Sequence, residues 1–412
     1  MRHIINFADS SRMFCRKTMF FLAALLVLFT ACTPDNENEK PVPETFVECL
    51  YSKTISLKDM ADELLDRRGV TDEDLGGYRP LIDALLSGGI EYNVHAITYN
   101  TVTPNGQPIV ASGVVYYPCE TPVGVVEVSP ICKSKGECGT EDVYMVEALP
   151  AIMKGYVCIV ADLIGNGTTS DLPISYIQHE IIAIVSADMR RAAEEFLIER
   201  YDYQLTSTSV LFGYSLGGAS ILSLAHLYDV NPSYGVKVEH VFAGGGAYEP
   251  YMVFKTQIEE DRSDFASIPN FLLSLMYYDH LDLDLTKIFK GPLLEHYEEW
   301  CDGWTHISKI TREVGTHPSA YLTEEFTTGL DSLEKYRPLL NALKAKSLPE
   351  DWKPTAKIHL CHAIHDYYVP SICGDRLNER LKALGADVEY KTYDVSHGTA
   401  GVYAELELLL FL

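Results

Sequence analysis

The chain has 412 residues, 47% of them hydrophobic and 22% charged, enough apolar material for one large core carrying an insertion or for two domains. That composition excludes a disordered chain and a membrane protein of many spans. A net charge of −25 at pH 7 excludes a surface that grips nucleic acid or anionic lipid.

The first element in chain order is an apolar run, Met19 to Phe29, preceded by Arg16 and Lys17. It is too short to span a bilayer and has the proportions of a signal-peptide core. It ends in Leu28-Phe29-Thr30-Ala31-Cys32, which resembles a bacterial lipobox, where small residues precede a cysteine that is diacylated and becomes the mature N-terminus. Phe29 stands where leucine is commoner. An uncleaved anchor and a plain secretory signal remain open, and Met13 is a second candidate start. Residues 1–31 are therefore expected to be a lipoprotein signal peptide, with Cys32 as the lipidation site. Residues 32–45, polar and proline-rich from Thr33 to Pro43, are expected to form a flexible tether.

The expected location is outside the cytoplasm, anchored by lipid, at the periplasmic or cell-surface face of an outer membrane. Removing residues 1–31 takes away four basic residues and one acidic one, which moves the net charge from −25 to −28. An oxidising compartment permits disulfides among the eight cysteines other than Cys15 and Cys32. Cys158 and Cys361 lie in apolar strand patterns and read as buried thiols. Cys132 and Cys138 flank a short loop and are the best candidates for a pair.

Eight strand patterns follow: Glu91–Asn100, Ala111–Tyr117, Gly124–Ser129, Tyr156–Asp162, Ser209–Tyr214, Lys237–Ala243, Lys357–Ala363 and Val388–Asp394. The first two alternate and are joined through Thr103-Pro104-Asn105-Gly106, a turn-rich link suited to an antiparallel hairpin. Helical periodicity occupies Glu141–Lys154, Ile174–Arg200, Ala219–Tyr228, Ile372–Leu384 and Val402–Leu410. Such alternation demands right-handed crossovers and an α/β fold with a mainly parallel sheet covered on both faces.

Between the sixth and seventh strands, Tyr251 to Trp352 is too long for a loop in a compact domain. It is rich in aromatics: Phe254, Phe265, Phe271, Tyr277, Tyr278, Phe289, Tyr297, Trp300 and Trp304. A helical pattern also covers Leu330–Leu343. The expected division is a core first part over 46–250, a helical cap inserted over 251–352 and a core second part over 353–412. Aromatic stripes at helical spacing serve the insertion's own core more often than a pocket.

Gly213-Tyr214-Ser215-Leu216-Gly217-Gly218 joins the fifth strand to the helix after it. In a G-x-S-x-G elbow the serine occupies a strained turn, and side chains two residues either way would collide, so Gly213 and Gly217 must be small. The turn presents the Ser215 hydroxyl at a helix N-terminus, where the Leu216 N–H points toward a developing oxyanion. A serine hydroxyl needs a histidine to take its proton, and the histidine needs a carboxylate to fix its tautomer. Asp366 follows the seventh strand and His397 the eighth, giving the order serine, acid, histidine.

Asp366 has the rival role of capping the next helix, and Asp394 is the competing acid, placed to serve a turn three residues before His397. His359, His362 and His365 suggest a metal, but strand alternation sends neighbouring side chains to opposite faces, so no shared ion is expected.

With these residues the chain resembles the α/β-hydrolases, specifically the secretory-lipase-like branch of serine esterases, from about Tyr92 to the C-terminus. The other matching pieces are Ala111-Ser112-Gly113-Val114-Val115 with Tyr117-Pro118, then Gly155-Tyr156-Val157 leading to Ala161-Asp162-Leu163-Ile164-Gly165-Asn166-Gly167, then Pro173-Ile174-Ser175-Tyr176-Ile177-Gln178-His179-Glu180. The resemblance implies an α/β-hydrolase fold: an eight-stranded, mostly parallel sheet with the cap between strands 6 and 7. It also implies cleavage of carboxylic esters of lipids or acylated glycans by Ser215, His397 and Asp366, with no cofactor or metal.

Relatives carry a His-Gly-type oxyanion turn after the third strand, whereas this chain has Ser129-Pro130-Ile131-Cys132. Pro130 has no N–H, which leaves Ile131 or Ser129 beside Leu216 as the second donor. Two other functions fit the same residues: a serine peptidase or aminopeptidase, and a non-catalytic ligand-binding lipoprotein.

Overall fold

The computed structural model describes residues 45–67 and 89–412. The expected leader, Cys32 and the tether up to Glu44 lie outside the described residues. All described residues belong to the unit Glu44–Leu412.

The strands are β1 (Phe46–Ser56), β2 (Glu91–Val102), β3 (Pro108–Pro118), β4 (Val125–Ser129), β5 (Val157–Ala161), β6 (Thr208–Tyr214), β7 (Lys237–Gly244), β8 (Lys357–His365) and β9 (Val388–Ser396). They form one sheet in the order β1-β2-β3-β5-β4-β6-β7-β8-β9. The pairs β1/β2, β2/β3 and β3/β5 are antiparallel, and the remaining five are parallel. β4 and β5 are five residues each and buried throughout, as continuous apolar strands covered on both faces must be.

All eight expected strands are present, and β1 is a ninth. Its residues are mostly exposed, and its pairing with β2 shifts register between Phe46 and Glu48 and again between Cys49 and Tyr51. Two irregularities in eleven residues break the period-2 pattern that would announce a strand.

Among the described residues the helices are α1 (Leu57–Arg67), α2 (Leu149–Met153), α3 (His179–Tyr201) and α4 (Leu216–Val230), then α5 (Pro250–Glu259), α6 (Ile268–Tyr278), α7 (Gly291–Trp300), α8 (Ile307–Val314), α9 (Pro318–Tyr321), α10 (Glu324–Gly329) and α11 (Arg337–Ala345) of the insertion, and finally α12 (Ile372–Ala383) and α13 (His397–Phe411). The helix expected over 141–154 is present only from Val146, as a 3₁₀ turn at Val146–Ala148 running into the short α2, and the residues before it are irregular. α3 starts at His179 rather than Ile174 because Ile177 adopts φ +55°, outside the helical region. α13 begins five residues earlier than expected, since Gly398 and Gly401 mask its first turns. Gly401 serves packing: a Cβ there would lie 3.1 Å from the Tyr214 ring.

The segment between β7 and β8 folds into α5 to α11. Phe254, Phe271, Phe289, Tyr321, Phe326 and Tyr336 build its interior, and the same cluster takes in Ile174, Tyr176 and Ile177 from the loop before α3 and Leu216 from the start of α4. Tyr277 and Trp304 face solvent.

Candidate active site

β6 runs directly into Ser215, whose φ of +57° and ψ of −123° lie where residues with a side chain rarely sit, a strain of about 1–3 kcal/mol. The neighbours hold it there. The Ser215 N–H donates to Gly244 O at 2.9 Å, and the Gly218 N–H donates to Ser215 O at 2.9 Å. A Cβ on Gly213 would lie 2.2 Å from Gly217 O, and one on Gly217 would lie 2.2 Å from Ser129 O. Both glycines are thus imposed by backbone contact, not by flexibility.

Asp366 follows β8 and His397 opens α13 beyond β9, so both meet Ser215 at the carboxyl edge of the parallel strands. His397 Nε2 is 2.9 Å from Ser215 Oγ, and His397 Nδ1 is 2.6 Å from Asp366 Oδ2. With Nδ1–H donating to the carboxylate, Nε2 is left to accept from the hydroxyl. The three residues are 5%, 8% and 4% exposed for Ser215, His397 and Asp366, which keeps the relay out of bulk water.

Asp366 Oδ1 accepts the N–H groups of Tyr368 at 3.0 Å and Val369 at 2.7 Å, so the turn after β8 binds one carboxylate oxygen and leaves the other to the imidazole. Burial pushes this carboxyl up, but the His397 charge and the hydrogen bonds from His362 and His397 reverse the effect and hold it at about 2. The short local loop does resemble the capping turn considered from the sequence, and the same carboxylate reaches His397.

Sequence reasoning gave three residues at the centre no part in this site, and weighed one of them, His362, only as a metal ligand. The Tyr214 hydroxyl donates to His397 O at 2.6 Å, fixing the backbone of the histidine. The rings of Tyr214 and Tyr368 lie 5.1 Å from the His397 ring, tilted and edge-on respectively. His362 Nε2 approaches Asp366 Oδ2 at 3.3 Å. Tyr214 and Tyr368 adjoin the motif residues, which is the one signal that pointed to them.

The rival groups lie elsewhere. Asp394 Oδ1 sits 2.7 Å from His365 Nε2 at an exposed surface position. His359 pairs with His240 at 3.1 Å and stacks on Phe242. The three histidines suggested as a metal set therefore point to three different places.

The oxyanion expectation needs correction at Ile131. Its N–H donates to Glu147 Oε1 at 3.3 Å, and the buried Glu147 also binds Lys133 Nζ at 3.2 Å. A hydrogen turned toward Glu147 does not point at an acyl oxygen. Ser129 lies inside β4 in register with Gly213, so its backbone belongs to the sheet. Leu216 is the first residue of α4, and its N–H has no acceptor within the helix.

The Cys132–Cys138 pair does not form: both are free thiols, as are the other six cysteines of the described residues. Cys132 sits against Tyr176 and Tyr368, whereas Cys138 sits by Asp162. Burial raises their pKa values to about 11 and about 12.

An open sheet with serine, acid and histidine at its carboxyl edge, in that chain order, is the α/β-hydrolase fold. Three solved structures share it over most of their length. A Legionella pneumophila protein provisionally described as a hydrolase is 22% identical, with 89% of this chain and 97% of that one covered at a TM-score of 0.74. The rice cell wall degrading esterase LipA from Xanthomonas oryzae is 17% identical, with 90% and 95% covered at 0.70. Candida antarctica lipase A in its closed state is 13% identical, with 90% and 84% covered at 0.58. The sequence matches no protein-family model and no curated protein.

Proposed function

We propose that the protein is a serine hydrolase of carboxylic esters. The observation that carries this reading is the continuous line Ser215 Oγ, His397 Nε2, His397 Nδ1, Asp366 Oδ2 at 2.9 and 2.6 Å, set on a strained elbow. Ser215 Oγ attacks the acyl carbon as its proton passes to His397 Nε2, and Asp366 stabilises the imidazolium. The Leu216 N–H and the positive end of α4 stabilise the oxyanion. His397 then gives the proton to the leaving alcohol, and water resolves the acyl-enzyme by the same relay, with no cofactor required.

Esters are favoured over amides because the fold neighbours with named activities are an esterase and a lipase. The helical insertion α5–α11 shares its core with the loop before α3 and the start of α4, which supports its role as a cap over the acyl site. The apolar run and Cys32 support export with a lipid anchor. Labelled palmitate incorporated by the wild type and lost in Cys32→Ala tests that part.

A fluorophosphonate probe is expected to label the wild type and not Ser215→Ala, and aryl-ester turnover is expected to drop by several orders of magnitude in the variant. Equal turnover in both proteins would end the reading.

A further inference from the structure

We infer that His362 is a positioning residue for Asp366, its Nε2–H clamping both the carboxylate and the turn that carries it. The inference rests on the ester-hydrolase reading above.

His362 is wholly buried near the end of β8. Its Nε2 lies 2.8 Å from Val369 O and 3.3 Å from Asp366 Oδ2. A carbonyl can only accept, so Nε2 carries a hydrogen, and that hydrogen is shared with the carboxylate. The turn 366–369 is therefore held at both polarities: Asp366 Oδ1 takes the Tyr368 and Val369 N–H groups, while His362 takes the Val369 carbonyl. The remaining oxygen, Oδ2, faces two imidazoles, that of His397 at 2.6 Å and that of His362 at 3.3 Å.

The far side of the ring shows why this is not space-filling. His362 Nδ1 is buried with no hydrogen-bond partner. An apolar side chain of similar volume would fill the site without leaving that nitrogen unsatisfied, at a saving in desolvation. The reason for an imidazole therefore lies at its Nε2 end. α12 also makes room for the ring: a Cβ on Gly374 would lie 2.7 Å from Nδ1 and 2.9 Å from the Tyr390 hydroxyl. This notch fixes the ring's position, and through it the direction of Nε2–H.

Other titratable groups bear on Asp366: Tyr214 from β6, Tyr368 from the turn, Cys373 from α12 and Asp264 from the insertion. Asp264 is the one that titrates in acid, its carboxyl raised by burial and by Asp366. Two variants at position 362 leave Asp264 in place and isolate the donor. His362→Met keeps the volume and removes the N–H. His362→Gln places an amide N–H at the same reach.

The methionine variant is expected to lose about 10- to 100-fold in kcat/KM, the scale of one hydrogen bond to a buried charge. It is also expected to shift the acid limb of the pH profile upward, because a carboxylate with one donor fewer pairs more strongly with a charged imidazolium than with the neutral ring that must accept the serine proton. Glutamine is expected to restore both. The low-field proton resonance of the His397–Asp366 hydrogen bond, followed by NMR against pH without substrate, is expected to move in the same order.

Methionine and glutamine behaving alike in rate, profile and resonance would overturn the inference, as would a methionine variant identical to the wild type. Absence of Ser215-dependent turnover in the wild type would instead remove the ester-hydrolase reading, while the resonance still reports on the clamp.

Discussion

Replacing Asp366 by asparagine tests the relay at its most constrained point. The variant keeps one oxygen for the Tyr368 and Val369 N–H groups, which lie 3.0 and 2.7 Å from Oδ1. Its NH₂ then occupies the place of Oδ2 and faces two ring nitrogens that present hydrogens, His397 Nδ1 at 2.6 Å and His362 Nε2 at 3.3 Å. His397 relieves the clash by moving its hydrogen to Nε2, where it meets the Ser215 hydroxyl and can no longer accept its proton. A tautomer inversion of this kind lowers kcat by about 10⁴, or about 5.5 kcal/mol in the barrier.

Stability changes with a defined sign. The Asp366 carboxyl is held at about 2 against an ordinary 3.8, so its ionised form contributes on the order of 2 kcal/mol to folding. That contribution is present above the unfolded value near 4 and is lost as pH falls through about 2. Steady-state turnover of an aryl ester at neutral pH gives the first quantity, and denaturant titrations between pH 7 and pH 2 give the second. An asparagine variant with kcat within tenfold of the wild type would refute the relay.

Three further variants probe the surroundings. Gly217→Ala puts a methyl group 2.2 Å from Ser129 O and 2.9 Å from Pro130 O, both backbone atoms, and is expected to cost more than about 2 kcal/mol in chemical denaturation. Unchanged stability there would disprove the close approach. Asp394→Asn removes an exposed partner of His365 and is expected to leave kcat/KM within about twofold, so a large loss would reopen its candidacy as the acid. Tyr214→Phe deletes the 2.6 Å bond to His397 O and is expected to destabilise by roughly 1–2 kcal/mol, lowering kcat more than it changes KM. A rise in KM alone would place the hydroxyl at substrate instead.

What could be seen in the sequence follows from how local the constraint is. Gly213 and Gly217 flank Ser215 because atoms within the elbow and the adjacent β4 strand forbid a Cβ, so the motif carries its own geometry. Asp366 and His397 were legible from their places after β8 and β9, since crossovers of fixed hand bring strand ends to one edge. β1 was not, because its bulges erase alternation and its side chains are mostly exposed. His362 was visible as a histidine in a strand. Its task depends on Val369 O and the Gly374 notch, which no spacing rule describes.

The helix expected over 141–154 starts only at Val146, and the N–H expected as a donor at Ile131 is taken up beside that start. The chain instead runs irregularly to the turn at Val146–Ala148, which buries Glu147 against Lys133 and the Ile131 N–H. A buried carboxylate needs donors, and the nearest backbone hydrogen after the proline supplies one. The direction of the Ile131 N–H is therefore decided sixteen residues away, by where the polypeptide abandons its helical periodicity.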